Sequence, residues 1–291
     1  MTRLKKVRQV LLYTLLLNIM VAAGKIFYGY SINSISMLSD GFHSFFDGAS
    51  NVIGLMGIWM ASQPPDKDHP YGHRKYETLS TIAIAVLIFA AGIEILRETF
   101  ARIQTTHTIE VTYASFVVMG ITLMTNIWVM RYEARKGREL KSDFLIADSM
   151  HTKADIYISL SVVISLIAAS LGYTIVDIIA SFIITIFIAK MGYKILKSAT
   201  AVLTDAACLN PDNIKAVALS IEGVKECHGI RTRGNKNFMN IDLHIQVDPD
   251  KKIRDAHELA HTVEKEIKAQ YPTAEDVVIH IEPFNENKQK R

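Results

Sequence analysis

Two short stretches hold the residues whose chemistry could organise this chain. Asp40, His43 and Asp47 form the pattern Asp-x-x-His-x-x-x-Asp, and Asp148, His151 and Asp155 repeat it. Both copies lie inside long apolar runs. A His and an Asp four residues apart stand one above the other on a helix face. Two such faces brought together offer two imidazoles and two carboxylates, a set suited to a tetrahedral divalent metal. A central Asp in a lipid-spanning helix costs roughly 2.5–3.5 kcal/mol, so Asp47 and Asp155 together ask for about 5–7 kcal/mol. Ionisable groups kept at that cost line an ion path. Hydrogen bonding between membrane helices explains one such His, but not two His–Asp pairs in the same frame. Asp40 and Asp148, three residues before each His, are candidates either to orient the imidazoles or to stand as helix-start carboxylates.

Two further clusters are polar. Asp66, Asp68, His69 and His73 fall within eight residues around a Pro-Tyr-Gly turn, enough to hold one metal or to make a solvated loop. Near the C-terminus stand His228, His244, His257, His261 and His280, with Glu282. Half of the chain's 10 histidines fall in this short segment, which favours metal over ordinary surface imidazoles.

The elements that must position these groups follow from hydropathy. Apolar runs at about 10–30, 35–61, 79–95, 111–130, 144–171 and 175–195 approach or exceed the ~20 residues that cross a bilayer. Six spans result, with the two patterns near the middle of the second and fifth. The basic head (Arg3, Lys5, Lys6, Arg8) and the connectors after the second and fourth spans carry the Lys and Arg bias. Both termini are therefore expected in the cytoplasm. Three spans per half make an inverted repeat, a recurring transporter design with its site at the midplane. Asn18 is a candidate extra oxygen or an interhelical hydrogen bond, and Lys25 is expected to snorkel outward.

Residues 200–285 are expected to form a soluble α+β domain, followed by a polar tail at 286–291. Helices are expected at 211–220, capped by Asn210, and at 253–270. Strands are expected at 224–232, 238–247 and 277–281. A formal net charge of +3 is too small to imply nucleic-acid binding. The 2 cysteines, Cys208 and Cys227, make no disulfide framework and fit a reducing compartment.

These residues resemble the cation diffusion facilitators, proton-coupled exporters of zinc and related divalent metals. The resemblance rests on the paired His-x-x-x-Asp motifs, the His-Pro-Tyr-Gly-His-Arg-Lys-Tyr-Glu connector starting at His69, and the C-terminal α+β segment. It implies an α-helical membrane bundle of six transmembrane helices over residues 1–199 and a ferredoxin-like (metallochaperone-like) cytoplasmic domain. It also implies a transport site of His43, Asp47, His151 and Asp155, and a connector site of Asp66, His69 and His73. Cytoplasmic metal ligands would be His228, His244, His257, His280 and Glu282, with Glu282 departing from the Asp common there. Members are similar in forming homodimers, here with a possible charge interlock of Lys75 and Asp205.

The expected function is export of divalent metal, zinc first, by proton antiport, from a bacterial inner membrane and among its lipids. Zinc is expected too as a structural or regulatory ion of the cytoplasmic domain. Two nitrogens and two oxygens also suit cobalt, cadmium or iron, whereas manganese favours more oxygen. The rival from another class is a membrane-anchored metal sensor that binds without transporting. No enzymatic site is expected.

Overall fold

The computed structural model describes residues 3–31, 45, 48–104, 113–170, 174–235 and 237–285. The chain divides into two compact units, Met1–Ala199 and Thr200–Arg291. The first is helical: α1 (Arg3–Ser31), α2 (Ala49–Ala61), α3 (Lys75–Gln104), α4 (Tyr113–Glu139), α5 (Asp143–Ser170) and α6 (Thr174–Leu203). The 30 residues of α3 span about 45 Å, longer than a hydrocarbon core of ~30 Å. Among the described residues, Arg3–Phe27 and Lys75–Ala101 are long and apolar enough to cross a membrane. Large apolar side chains on the outside of the bundle, such as Leu16, Met20, Met56, Trp59, Val86 and Met124, suit lipid better than water.

Helix α5 is the hub that positions the candidate site. It packs against α4, α3 and α2, while α1 packs against α2 and α4. Phe144 and Leu145 of α5 are fully buried with Ile58 of α2, Ile84 and Ile88 of α3, and Val7 and Leu11 of α1. Two glycines let α2 come this close. A Cβ at Gly54 would enter the Phe144 ring, and one at Gly57 would collide with Ser80 of α3. At one end of the bundle Arg3 ties three segments together. Its guanidinium donates to Leu140 O at 2.8 Å and Lys141 O at 2.7 Å in the α4–α5 turn. It also meets both carboxylate oxygens of buried Glu77 at 3.0 and 3.1 Å, and Ser142 Oγ donates to Glu77 at 2.6 Å. Lys25, expected to snorkel, is only 5% exposed: its stem and head are covered by the bundle rather than directed outward.

The second unit contains α7 (Pro211–Leu219), β1 (Glu226–Asn235), β2 (Phe238–Val247), α8 (Ile253–Gln270) and β3 (Ala274–Pro283). The strands form one mixed sheet in the order β1-β2-β3, with β1 antiparallel and β3 parallel to β2. Both helices cover one face, where Ile241, Leu243, Ile245, Val263 and Ile267 are buried. Asn210 caps α7 as its side chain accepts from Asp212 N at 3.0 Å. Strand β1 starts at Glu226, two residues later than the apolar pattern implies, because Val224 turns back into the helix-side core. Strand β3 extends beyond the expected 277–281 at both ends, since its pairing with β2 continues into polar residues. The thiol of buried Cys227 is pushed up to about 11 by desolvation, so it is an inert core residue.

Candidate metal centres

In the helical unit, Asp148, His151 and Asp155 lie on α5 at i, i+3 and i+7, so one face carries all three. Asp148 is 1% exposed and His151 6%. His151 and Asp155 line a cavity of about 30 Å³ with Asn18 and Val21 of α1, Ser50 of α2, Thr122 and Asn126 of α4, and Thr152. That volume accommodates a water-sized guest. His43, Asp47 and Asp40 lie outside the described residues, so the first half of the quartet has no geometry to set beside the α5 half.

A buried hydrogen-bond chain backs this cavity. Asn51 Nδ2 donates to Asp148 Oδ2 at 2.8 Å, and Asn18 Nδ2 donates to Asn51 Oδ1 at 3.2 Å. Thr152 Oγ1 stands 3.3 Å from Glu133 Oε2 and 3.2 Å from Asp148 O. Asp148 is thus a buried carboxyl bonded to Asn51 of α2. Sequence reasoning missed Glu133, Asn51 and Asn126. Glu133 lies between Arg131 and Arg135, where it reads as one more connector charge, yet it is 1% exposed while both arginines face outward. The available signal is angular: a residue two positions from each Arg is turned about 200° from them on a helix.

The connector cluster comes together locally. Asp66 Oδ1 accepts from the backbone N–H of His69 at 2.6 Å and of Asp68 at 3.0 Å. The His69 N–H in particular holds the Asp66 carboxyl below its ordinary value. Asp66, His69 and His73 bring one ligand atom each to within 4.8 Å of one another. His73 Nδ1 is 3.1 Å from Pro64 O, which can only accept, so Nδ1 bears the proton. Its Nε2 is directed at Asp66 Oδ2, 3.3 Å away. A cation between these two atoms would satisfy both. Asp68 supplies only its backbone N–H and stays outside the ligand set. Gly72, at φ +83, makes the turn that returns His73 to the cluster.

In the second unit, His228, His244 and His280 sit side by side across β1, β2 and β3, paired as His228↔His244 and His244↔His280. Alternation puts them on the face away from the helices. Glu282, two residues after His280 on the same face, serves all three. Its carboxylate lies 2.9 Å from His244 Nδ1, 3.4 Å from His228 Nε2 and 3.8 Å from His280 Nε2. Hydrogen bonding from His244 is the main reason its carboxyl lies below the ordinary value. His228, His244 and Glu282 meet the spacing a metal needs. Two imidazoles and one carboxylate are a donor set that several divalent metals accept, and His280 lies beside it outside that spacing. His257 is placed elsewhere. It lies on α8, on the other layer, with its Nε2 3.1 Å from His261 Nε2.

A model of the cation efflux transmembrane domain matches residues 11–204, and one of the cation efflux protein cytoplasmic domain matches residues 209–284. The manganese efflux system protein MneP of Bacillus subtilis (strain 168) is 29% identical over 289 residues, covering 96% of this chain and 97% of its own. The cation-efflux pump FieF of Serratia proteamaculans (strain 568) is 26% identical over 263 residues, covering 89% of this chain and 87% of its own. The solved MamM-CTD 215-293 is 23% identical, covers 25% of this chain and 92% of its own, and has a TM-score of 0.24. The family's members are membrane transporters and not enzymes. With both family models placed end to end along it, the chain belongs to the cation diffusion facilitators, the divalent metal efflux transporters.

Proposed function

We propose that this protein exports a divalent metal, zinc first, in exchange for protons, through a site of His43, Asp47, His151 and Asp155. The observation that carries this reading is the buried face of α5, where His151 and Asp155 line a polar cavity within the helical bundle. A membrane-anchored metal sensor could bind at lower cost in its cytoplasmic domain, so ligands placed here favour passage over sensing. Six crossings with both termini in the cytoplasm and a homodimeric assembly complete the reading. The contact of Arg3 with the start of α3 and the α4–α5 turn supports the topology, because it holds those three segments at one end of the bundle.

Proton exchange follows from the ligands. Metal binds neutral imidazole and ionised carboxylate, so loading displaces protons, and protons arriving from outside displace the metal. Exporting a dication against one proton moves net charge outward at roughly 2.3 kcal/mol per 100 mV, inside negative, and a second proton cancels that cost. Metal at the Asp66 and Glu282 clusters would regulate the dimer, with zinc as the expected occupant. A second reading, manganese as cargo, is favoured by the amides of Asn18 and Asn126 in the cavity lining and by the name of the relative MneP.

Metal flux into proteoliposomes, with a pH dye on the other side, tests the reading. Asp155→Ala and His151→Ala should abolish flux and leave the dimer folded. Wild-type flux in either variant, or flux with no proton counterflow, would overturn it.

A further inference from the structure

Hydrogen-bond polarity runs through three helices toward the cavity. It starts at Asp148 on α5, whose Oδ2 accepts from Asn51 Nδ2 at 2.8 Å. An acceptor there turns the Asn51 amide so that its NH₂ faces α5 and its Oδ1 faces α1. That oxygen accepts from Asn18 Nδ2 at 3.2 Å. One N–H of Asn18 is thereby committed to α2, and the amide nitrogen is turned toward Asn51. Its Oδ1, on the opposite branch of the same planar amide, is the atom left for the cavity that Asn18 shares with His151 and Asp155. A cation in that cavity could be met by this acceptor. Asn51 does not line the cavity, so it acts only by setting the rotation of Asn18.

We propose that Asn18 presents its amide oxygen to the transported cation as an additional ligand and so tunes selectivity toward oxygen-preferring divalent metals. The inference rests on the reading of His151 and Asp155 as the transport site. Its chemistry is simple. Zinc is satisfied by four ligands with nitrogen among them, whereas manganese takes more oxygen ligands. A fifth, neutral oxygen therefore helps manganese more than zinc. Asn51 is a positioning residue: among the described residues, its Oδ1 is the hydrogen-bond partner that sets which branch of the Asn18 amide faces the cation.

The test is the ratio of apparent affinities for manganese and zinc in proteoliposome flux, measured on the full-length protein. Asn18→Leu should weaken manganese about tenfold, the low end of losses seen when metal-site partners are removed, and zinc much less. Asn18→Asp restores an oxygen and should hold the manganese affinity at or above wild type. Asn51→Leu should move the ratio in the same direction as Asn18→Leu, by less. An unchanged ratio in Asn18→Leu, equal losses for both metals, or an Asn18→Asp variant as poor on manganese as Asn18→Leu would each overturn the proposal. Flux that survives His151→Ala would instead strike the transport-site reading itself.

Discussion

Glu282→Ala is the perturbation whose size can be worked furthest. The carboxylate accepts from His244, also contacts Gln246, and lies within 4 Å of the His228 and His280 imidazoles. In metal-free protein its loss should be small, about 1 kcal/mol, because the group is a quarter exposed at 24%. With zinc the effect grows. Free zinc about 100-fold above its dissociation constant adds about 2.7 kcal/mol to the stability of the 200–291 segment. For a domain of this size each kcal/mol moves Tm by roughly 4–8 °C, so zinc should raise Tm by about 11–22 °C. If removing the one anionic ligand weakens zinc about 100-fold, the same zinc only matches the new dissociation constant. The linkage contribution then falls to about 0.4 kcal/mol, a rise of roughly 2–3 °C. Acid offers a second readout. Because the carboxyl is held below 4.5, it contributes stability that is complete above that value and lost as pH falls through the lowered one. The variant should lack that loss. Differential scanning calorimetry with and without zinc measures both. A wild-type Tm indifferent to zinc, or equal zinc shifts in the two proteins, would refute the reasoning.

Two other perturbations address the helical unit. Glu77→Ala strips Arg3 of its buried partner and Ser142 Oγ of its acceptor, and should cost about 2–4 kcal/mol, below a fully buried pair because Arg3 is 27% exposed. Denaturation in mixed micelles checks this, and a cycle with Arg3→Ala should show the two changes to be far from additive. Gly54→Ala drives a methyl into the Phe144 ring and should destabilise by about 1–3 kcal/mol. Phe144→Leu in the same chain should recover part of that loss. Full stability in Gly54→Ala alone would mean that α2 can move away from α5 at little cost.

Legibility followed locality. Asp148, His151 and Asp155 stand out because a single helix with a fixed period carries them, and polar groups contrast with the apolar run around them. The cap at Asn210 and the alternation of β2 are equally local, and both match the structure. What could not be read depends on contacts between distant segments. The burial of Glu133 requires Thr152 and Asp148 from the next helix, and its arginine neighbours disguise it. The parallel pairing of β3 with β2 sets His280 beside His244, but periodicity carries no strand direction. His257 sits one helical turn from His261, and that local pairing competes with any convergence on the sheet histidines. Lys25 is covered for a related reason: whether a long side chain reaches outward is decided by the neighbouring helices, not by its own segment.

The Arg3 contact also bears on how the chain is made. Arg3 precedes Glu77 by 74 residues and the carbonyls of Leu140 and Lys141 by 137 and 138. Until the α4–α5 turn has been synthesised, the guanidinium has none of its backbone acceptors. The Arg3 segment therefore cannot settle when α1 forms. It must remain available while α2, α3 and α4 are made, and it locks only when the turn before α5 arrives. A nascent chain released before that point would hold Glu77 without Ser142 and Arg3 without its carbonyls, an exposed mark of incompleteness that membrane proteases could act on.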